Sequence, residues 1–152
     1  MHFTNIFNPR FFYISPLALI AVSACRSPYP ATSEVTGSIV KGPLSNALVF
    51  LDLNGNKALD ANEQSVRTDA DGKFSFTRSD NTGYKIVALT DDSTVDASSG
   101  SVLAGVTLTA PMGAAVVTPT TTLMEEGGLT AEEVTAVLNL PYGVDPLTFN
   151  PF

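Results

Sequence analysis

From Glu34 to Ala110 the chain runs in short β-forming stretches, each cut off by Gly, Pro, Asp or Ser, and no helical periodicity competes before about residue 115. A chain punctuated in this way stacks short strands. Residues 35–40 read as a first strand, stopped by Gly42-Pro43. Residues 47–51 (ALVFL) are almost wholly apolar, which fits a central strand buried on both faces. Residues 65–68 and 73–78 flank Asp69-Ala70-Asp71-Gly72, a hairpin signal. In the second of these, Phe74 and Phe76 alternate with Lys73, Ser75 and Thr77, so one face is buried and the other wet. Residues 84–90, ended by Asp91-Asp92-Ser93, and residues 102–110 complete the set. The expectation is a mainly β fold: an antiparallel sandwich over residues 34–112.

The last forty or so residues change character. Thr118-Pro119 is an N-cap followed by proline at the first helical position, with Gly127 as the stop. Thr130 with Glu133 forms a capping box, and Leu129 and Val134 are placed as its hydrophobic staple. Val134, Val137 and Leu138 then make an apolar stripe that Pro141 ends. Two short helices over residues 113–152 therefore follow the sandwich, and they need a surface to pack on. The stop at Asn150-Pro151-Phe152 is also compatible with the front of something longer.

The first 24 residues read as a targeting segment. Residues 11–22 (FFYISPLALIAV) form an apolar run of signal-peptide length behind a weakly basic lead, too short to span a bilayer as a helix. Val22-Ser23-Ala24-Cys25 resembles a bacterial lipobox, which implies a lipidated Cys25 and a membrane anchor. Cys25 is the only cysteine, so no disulfide within the chain can form, and acylation removes an otherwise unpaired exported thiol. An ordinary secretory cut after Ala24, leaving the thiol free, is the alternative. Residues 25–33, with two prolines and small polar residues, form a tether.

The most informative segment is residues 52–63, DLNGNKALDANE. As a twelve-residue calcium loop it places Asp52, Asn54 and Asn56 at positions one, three and five. Ala58 falls at seven, where a backbone carbonyl serves, Asp60 at nine and Glu63 at twelve. Calcium takes six to eight oxygens, so alternate short oxygen side chains wrap one side and the longer glutamate closes the other. Leu59, apolar at position eight, is expected to anchor the loop to the core. Position six, usually glycine because the backbone turns there with positive φ, is Lys57. A non-glycine residue in that conformation costs about 1 kcal/mol. Since ALVFL precedes the loop and Gln64 follows it, the loop is expected to join two strands rather than two helices. With three carboxylates and Lys57 alongside, affinity belongs in the extracellular range, on the order of 10⁻⁴ to 10⁻³ M. The competing reading takes Asn54-Gly55 as a plain hairpin turn in a solvated acidic loop.

The string from Asp52 to Glu63, the strand running into it, Gly37-Ser38-Ile39-Val40 and residues 68–76 (TDADGKFSF) together resemble B-type repeats of bacterial surface adhesins. Those modules are sandwiches similar in outline to the transthyretin-like, carboxypeptidase regulatory-like family. The resemblance covers residues 34–90 and implies a transthyretin-like or immunoglobulin-like sandwich carrying calcium in a structural or adhesive role. Thr118-Pro119-Thr120-Thr121-Thr122-Leu123 and residues 143–147 resemble the segment that follows such a sandwich in large secreted proteins.

Composition narrows the function further. The formal charge of −7, from 15 acidic and 8 basic residues, argues against a nucleic-acid partner. The single histidine, His2, lies in the leader, so the mature chain can build neither a Ser-His-Asp site nor a histidine-ligated zinc or iron site. Asp69, Asp71, Asp91 and Asp92 are the carboxylates available for glycosidase chemistry, and they read more simply as turn formers. The expectation is a non-enzymatic, calcium-stabilised module of an exported lipoprotein at the outer membrane, periplasm or cell surface. Its partner is the membrane through Cys25, with a surface protein or polysaccharide as a further one. A binding lipoprotein for a protein or sugar, and the N-terminal part of a larger adhesin or secreted enzyme, are the alternatives.

Overall fold

The computed structural model describes residues 32–150. The expected signal peptide, Cys25 and the expected tether as far as residue 31 lie outside the described residues. The strands are β1 (Ser33–Ile39), β2 (Leu44–Ser45), β3 (Leu48–Asp52), β4 (Ser65–Arg67), β5 (Lys73–Arg78), β6 (Lys85–Leu89), β7 (Val95–Asp96), β8 (Ser101–Val102), β9 (Thr107–Pro111) and β10 (Val116–Val117). Helices α1 (Pro119–Gly127) and α2 (Ala131–Val137) follow. The mainly β class with two short C-terminal helices is the one expected, and the sandwich is open rather than closed.

Alternation in the sequence sets the layers. A four-stranded antiparallel sheet has the order β4-β3-β6-β9, and a second sheet has the order β10-β1-β5, with β10 parallel to β1. Val49 and Leu51 of β3, Ile86 and Ala88 of β6, and Leu108 and Ala110 of β9 share one core with Phe74 and Phe76 of β5, Ile39 and Val117. The two phenylalanine rings meet at 5.8 Å, tilted by 55°. Arg78 continues the inward row of β5 and is buried there, paired with Asp80 and lying 4.6 Å over the Tyr84 ring. As its composition demands, β3 is central and buried on both faces. On the outer side Phe50, Val87 and Thr109 stand in one cross-strand row, all buried, and α1 packs along β9.

Several boundaries differ from the sequence expectations for identifiable reasons. The Asp69–Gly72 segment is a tight turn: Gly72 N–H donates to Asp69 O at 3.1 Å, and the Asp69 carboxylate accepts the N–H groups of Asp71 and Lys73. It does not close a hairpin, however. β4 pairs with β3 and β5 pairs with β1, so the turn carries the chain from one sheet to the other. The single strand expected over residues 102–110 is broken at Gly105 (φ 75), because Thr90 captures the chain there. Thr90 O accepts the Gly105 N–H at 3.0 Å and the Thr90 hydroxyl accepts the Val106 N–H at 2.8 Å. β8 instead joins β2 and β7 in a small third sheet.

Helix α1 runs through Gly127 and stops at Gly128, which takes the left-handed conformation (φ 62). Both capping boxes form, although at α1 the third residue is Thr121 rather than a glutamate. α2 ends earlier than Pro141. Asn139 (φ 48) turns left-handed and Leu140 N–H bonds Thr135 O at 3.0 Å, a C-terminal motif in which asparagine stands in for glycine. Of the expected apolar stripe only Val134 is buried; Val137 and Leu138 are exposed.

α1 also finishes the sheet. Thr122 Oγ1 accepts the Thr109 N–H at 2.9 Å, and the Thr121 hydroxyl lies 2.9 Å from Thr109 O. Two side-chain hydroxyls thus occupy the place of a neighbouring strand on the outer edge of β9.

Candidate metal centre

The segment 52–63 is the connection of the β3–β4 hairpin. Leu51 N–H bonds Gln64 O at 3.1 Å and the ladder continues Phe50↔Ser65, Val49↔Val66 and Leu48↔Arg67. The loop joins two strands, as its flanks require. Asp52 is the last residue of β3 and is buried at 1% exposure, while residues 54–59 face solvent.

Its oxygen-bearing side chains turn into the loop. Asp52 Oδ1 accepts N–H groups of Asn54 at 3.2 Å and Gly55 at 2.6 Å, and Oδ2 accepts that of Lys57 at 2.9 Å. Asn54 Oδ1 accepts the Asn56 N–H, and Asn56 Oδ1 the Ala58 N–H, at 2.9 and 2.8 Å. Both amide nitrogens converge on one oxygen, Asp60 Oδ2, at 2.8 and 2.9 Å. Glu63 spans the loop: Oε1 accepts the Leu53 N–H at 2.8 Å and Oε2 the Asp60 N–H at 3.1 Å. Asn54 and Asn56 thus meet Asp60 side chain to side chain, while Asp52 and Glu63 hold the loop's backbone N–H groups. Lys57, the sixth residue, has φ 59, the left-handed turn that this position of a calcium loop demands.

One expectation needs correction. Leu59 does not anchor the loop; it is 41% exposed. The Lys57 ammonium forms an ion pair with Glu126 of α1. Among the described residues no three His, Cys, Asp or Glu side chains are grouped as a metal-holding set. Asp52 and Glu63 are held by backbone N–H groups, and the Asn54 and Asn56 amides donate to Asp60. Chemically the set fits a hard cation bound by oxygen, mixing carboxylates, amides and a carbonyl.

The charges around the loop are ordered by neighbours that sequence spacing does not reveal. Lys57 beside Glu126 holds that carboxyl below its ordinary range, and Glu125, 2.6 Å from Lys85, holds the Lys85 ammonium above its own. Glu126 and Lys57 are 69 residues apart in the chain. Asp69 and Asp91 serve as turn acceptors: Asp91 takes the Ser93 N–H and the Arg67 guanidinium, the latter at 2.6 Å.

Comparison with family models, curated proteins and solved structures finds no match to this chain.

The turn aspartates yield a pH prediction. Arg67 and then Ser93 hold Asp91 well below the usual carboxylate range. Ser98 lowers Asp96, and the Thr82 N–H followed by Arg78 lowers Asp80. Each folded-state value lies below the unfolded one, so their contribution is complete above the ordinary range of about 4 and is lost progressively as pH falls from there through the lowered folded values. Thermal melts are expected to give one midpoint from pH 7 to pH 5 and a falling midpoint below pH 4. A midpoint unchanged to pH 2 contradicts this.

Proposed function

We propose that residues 52–63 take up one calcium ion, which stiffens the projecting end of the β3–β4 hairpin in a structural or adhesive module of an exported, lipid-anchored protein. The observation that carries the reading is the backbone of Lys57. A non-glycine residue held left-handed costs about 1 kcal/mol, and it stands at the one position where the twelve-residue loop needs that turn. The meeting of Asn54 and Asn56 with Asp60, and the hold of Asp52 and Glu63 on the loop backbone, support it. Asp52, Asp60 and Glu63 would supply charge, Asn54 and Asn56 amide oxygens and Ala58 its carbonyl. The Asn54 and Asn56 amide oxygens each accept one backbone N–H and have a second lone pair with which they would meet the cation. Bound calcium supplies a doubly charged centre that holds these oxygens together.

The anchor rests on Val22-Ser23-Ala24-Cys25 behind its apolar run, with the membrane as partner and a surface protein or polysaccharide as the contact beyond. The absence of histidine from the mature chain supports a module without catalysis.

Calcium at 10 mM is expected to raise the thermal midpoint over an EGTA-treated sample by about 5 °C, from a binding contribution of about 1–3 kcal/mol. Asp60→Ala removes one charge from the exposed rim and is expected to abolish that response while leaving the calcium-free midpoint nearly unchanged. Equal midpoints with calcium and with EGTA would sink the metal reading. An unacylated Cys25 in the mass of the mature chain would remove the anchor.

A further inference from the structure

We infer that helix α1 is an external clamp on the loop, so that cation occupancy and the seating of the helix are linked; the inference rests on the calcium reading above. Two glutamates of α1 stand in an unfavourable place. Glu125 and Glu126 lie in the last turn of α1, where the helix dipole disfavours negative charge and where no basic residue of the helix offsets them. What they meet explains them. Glu126 pairs with Lys57, the sixth residue of the loop, and its other oxygen accepts the Thr109 hydroxyl at 3.3 Å. Glu125, only 15% exposed, pairs with Lys85 at 2.6 Å, and Lys85 stands directly opposite Asp52 in the β3–β6 register.

One glutamate thus engages the lysine within the loop, and its neighbour engages the lysine across the ladder from the first loop ligand. Both ammonium groups would otherwise oppose a doubly charged cation in the loop, through repulsion and by competing for Asp52, Asp60 and Glu63. With their charges taken up by the helix, the three carboxylates are left to the ion. The relation is reciprocal: an ion that orders the loop also orders Lys57, and with it one attachment of α1. The pairs are partly exposed, so the linkage is modest and depends on salt.

The test is a titration of the full chain with calcium chloride at low ionic strength, read by calorimetry. It is accompanied by amide hydrogen exchange over residues 119–127 with calcium and with EGTA. Glu126→Gln is expected to raise the calcium dissociation constant about threefold to fivefold, the size of one surface ion-pair interaction. Adding Lys57→Gly to Glu126→Gln returns the constant to the original value or below it, because the freed ammonium is gone. Calcium slows exchange in α1 of the unaltered chain and has less effect in Glu126→Gln. A Glu126→Gln chain that binds calcium as tightly as the unaltered one, with the same exchange, overturns the clamp and leaves the loop reading standing. If the unaltered chain takes up no calcium at 10 mM, the loop reading fails and the linkage fails with it. In that case slower α1 exchange in the unaltered chain than in Glu126→Gln would mark the ion pair as structural only.

Discussion

Thr121→Val is expected to lower the unfolding free energy by about 2–4 kcal/mol, although valine matches threonine in shape. Thr121 is fully buried and its oxygen serves two elements at once. It accepts the Thr118 N–H at 2.9 Å, the return half of the α1 capping box, and its single proton lies 2.9 Å from Thr109 O and 3.0 Å from Thr118 O. Since Thr122 is placed to donate to Thr118 O at 2.8 Å, the Thr121 proton belongs to Thr109 O. Valine strands a buried N–H and weakens the bonding of a buried carbonyl, each costing about 1–3 kcal/mol; Thr122, 3.3 Å from that carbonyl, offsets part of the second. Thr121→Ser keeps the hydroxyl and should lose much less. Urea unfolding of the three chains decides it: equal midpoints for Val and Ser would show that packing, and not the hydroxyl, holds α1 to the sheet.

Gly72→Ala is expected to cost about 3 kcal/mol. The residue has φ 75, where a side chain is strained, and a Cβ there would lie 2.9 Å from Ile39 O and 3.0 Å from Leu44 N. Both atoms are backbone and cannot swing aside. Strain of about 1 kcal/mol is thus joined by overpacking of about 1–3 kcal/mol. Gly55 supplies the comparison, with φ 77 but nothing within 4 Å of its Cβ position. Gly55→Ala should show the strain alone, about 1 kcal/mol. Equal destabilisation at the two sites, measured by denaturant unfolding, would mean that the close approach at Gly72 contributes nothing.

Local chemistry made much of this fold legible. ALVFL is apolar at every position because β3 is sandwiched on both faces, and Phe74 and Phe76 alternate because β5 has one dry side. Thr130 and Glu133 specify a helix start from only three positions apart. That residues 52–63 form a loop joining two strands was legible for the same reason, since both strands flank it directly. What escaped depends on partners distant along the chain. Asp69-Ala70-Asp71-Gly72 specifies a turn but not which sheet receives the next strand. β2, β7, β8 and β10 are two residues each, too short for periodicity to register. Leu59 and the Val137–Leu138 pair looked like core because apolar residues usually find apolar neighbours, and here the fold brings none over them. Glu126 gave no signal, since its role exists only once α1 has docked beside the loop.

The hydroxyls that complete β9 have a further consequence for how the chain can be divided. A cut at residue 112 looks natural on paper, between strands and helices, yet it would separate the sheet from the residues that terminate it. It would also remove β10, which lies alongside β1. The piece left behind would carry a raw margin of backbone, the kind of border along which proteins zip onto one another. The helical tail is therefore the hem of the sheet, and the smallest unit that keeps this edge of β9 covered extends at least through Thr122.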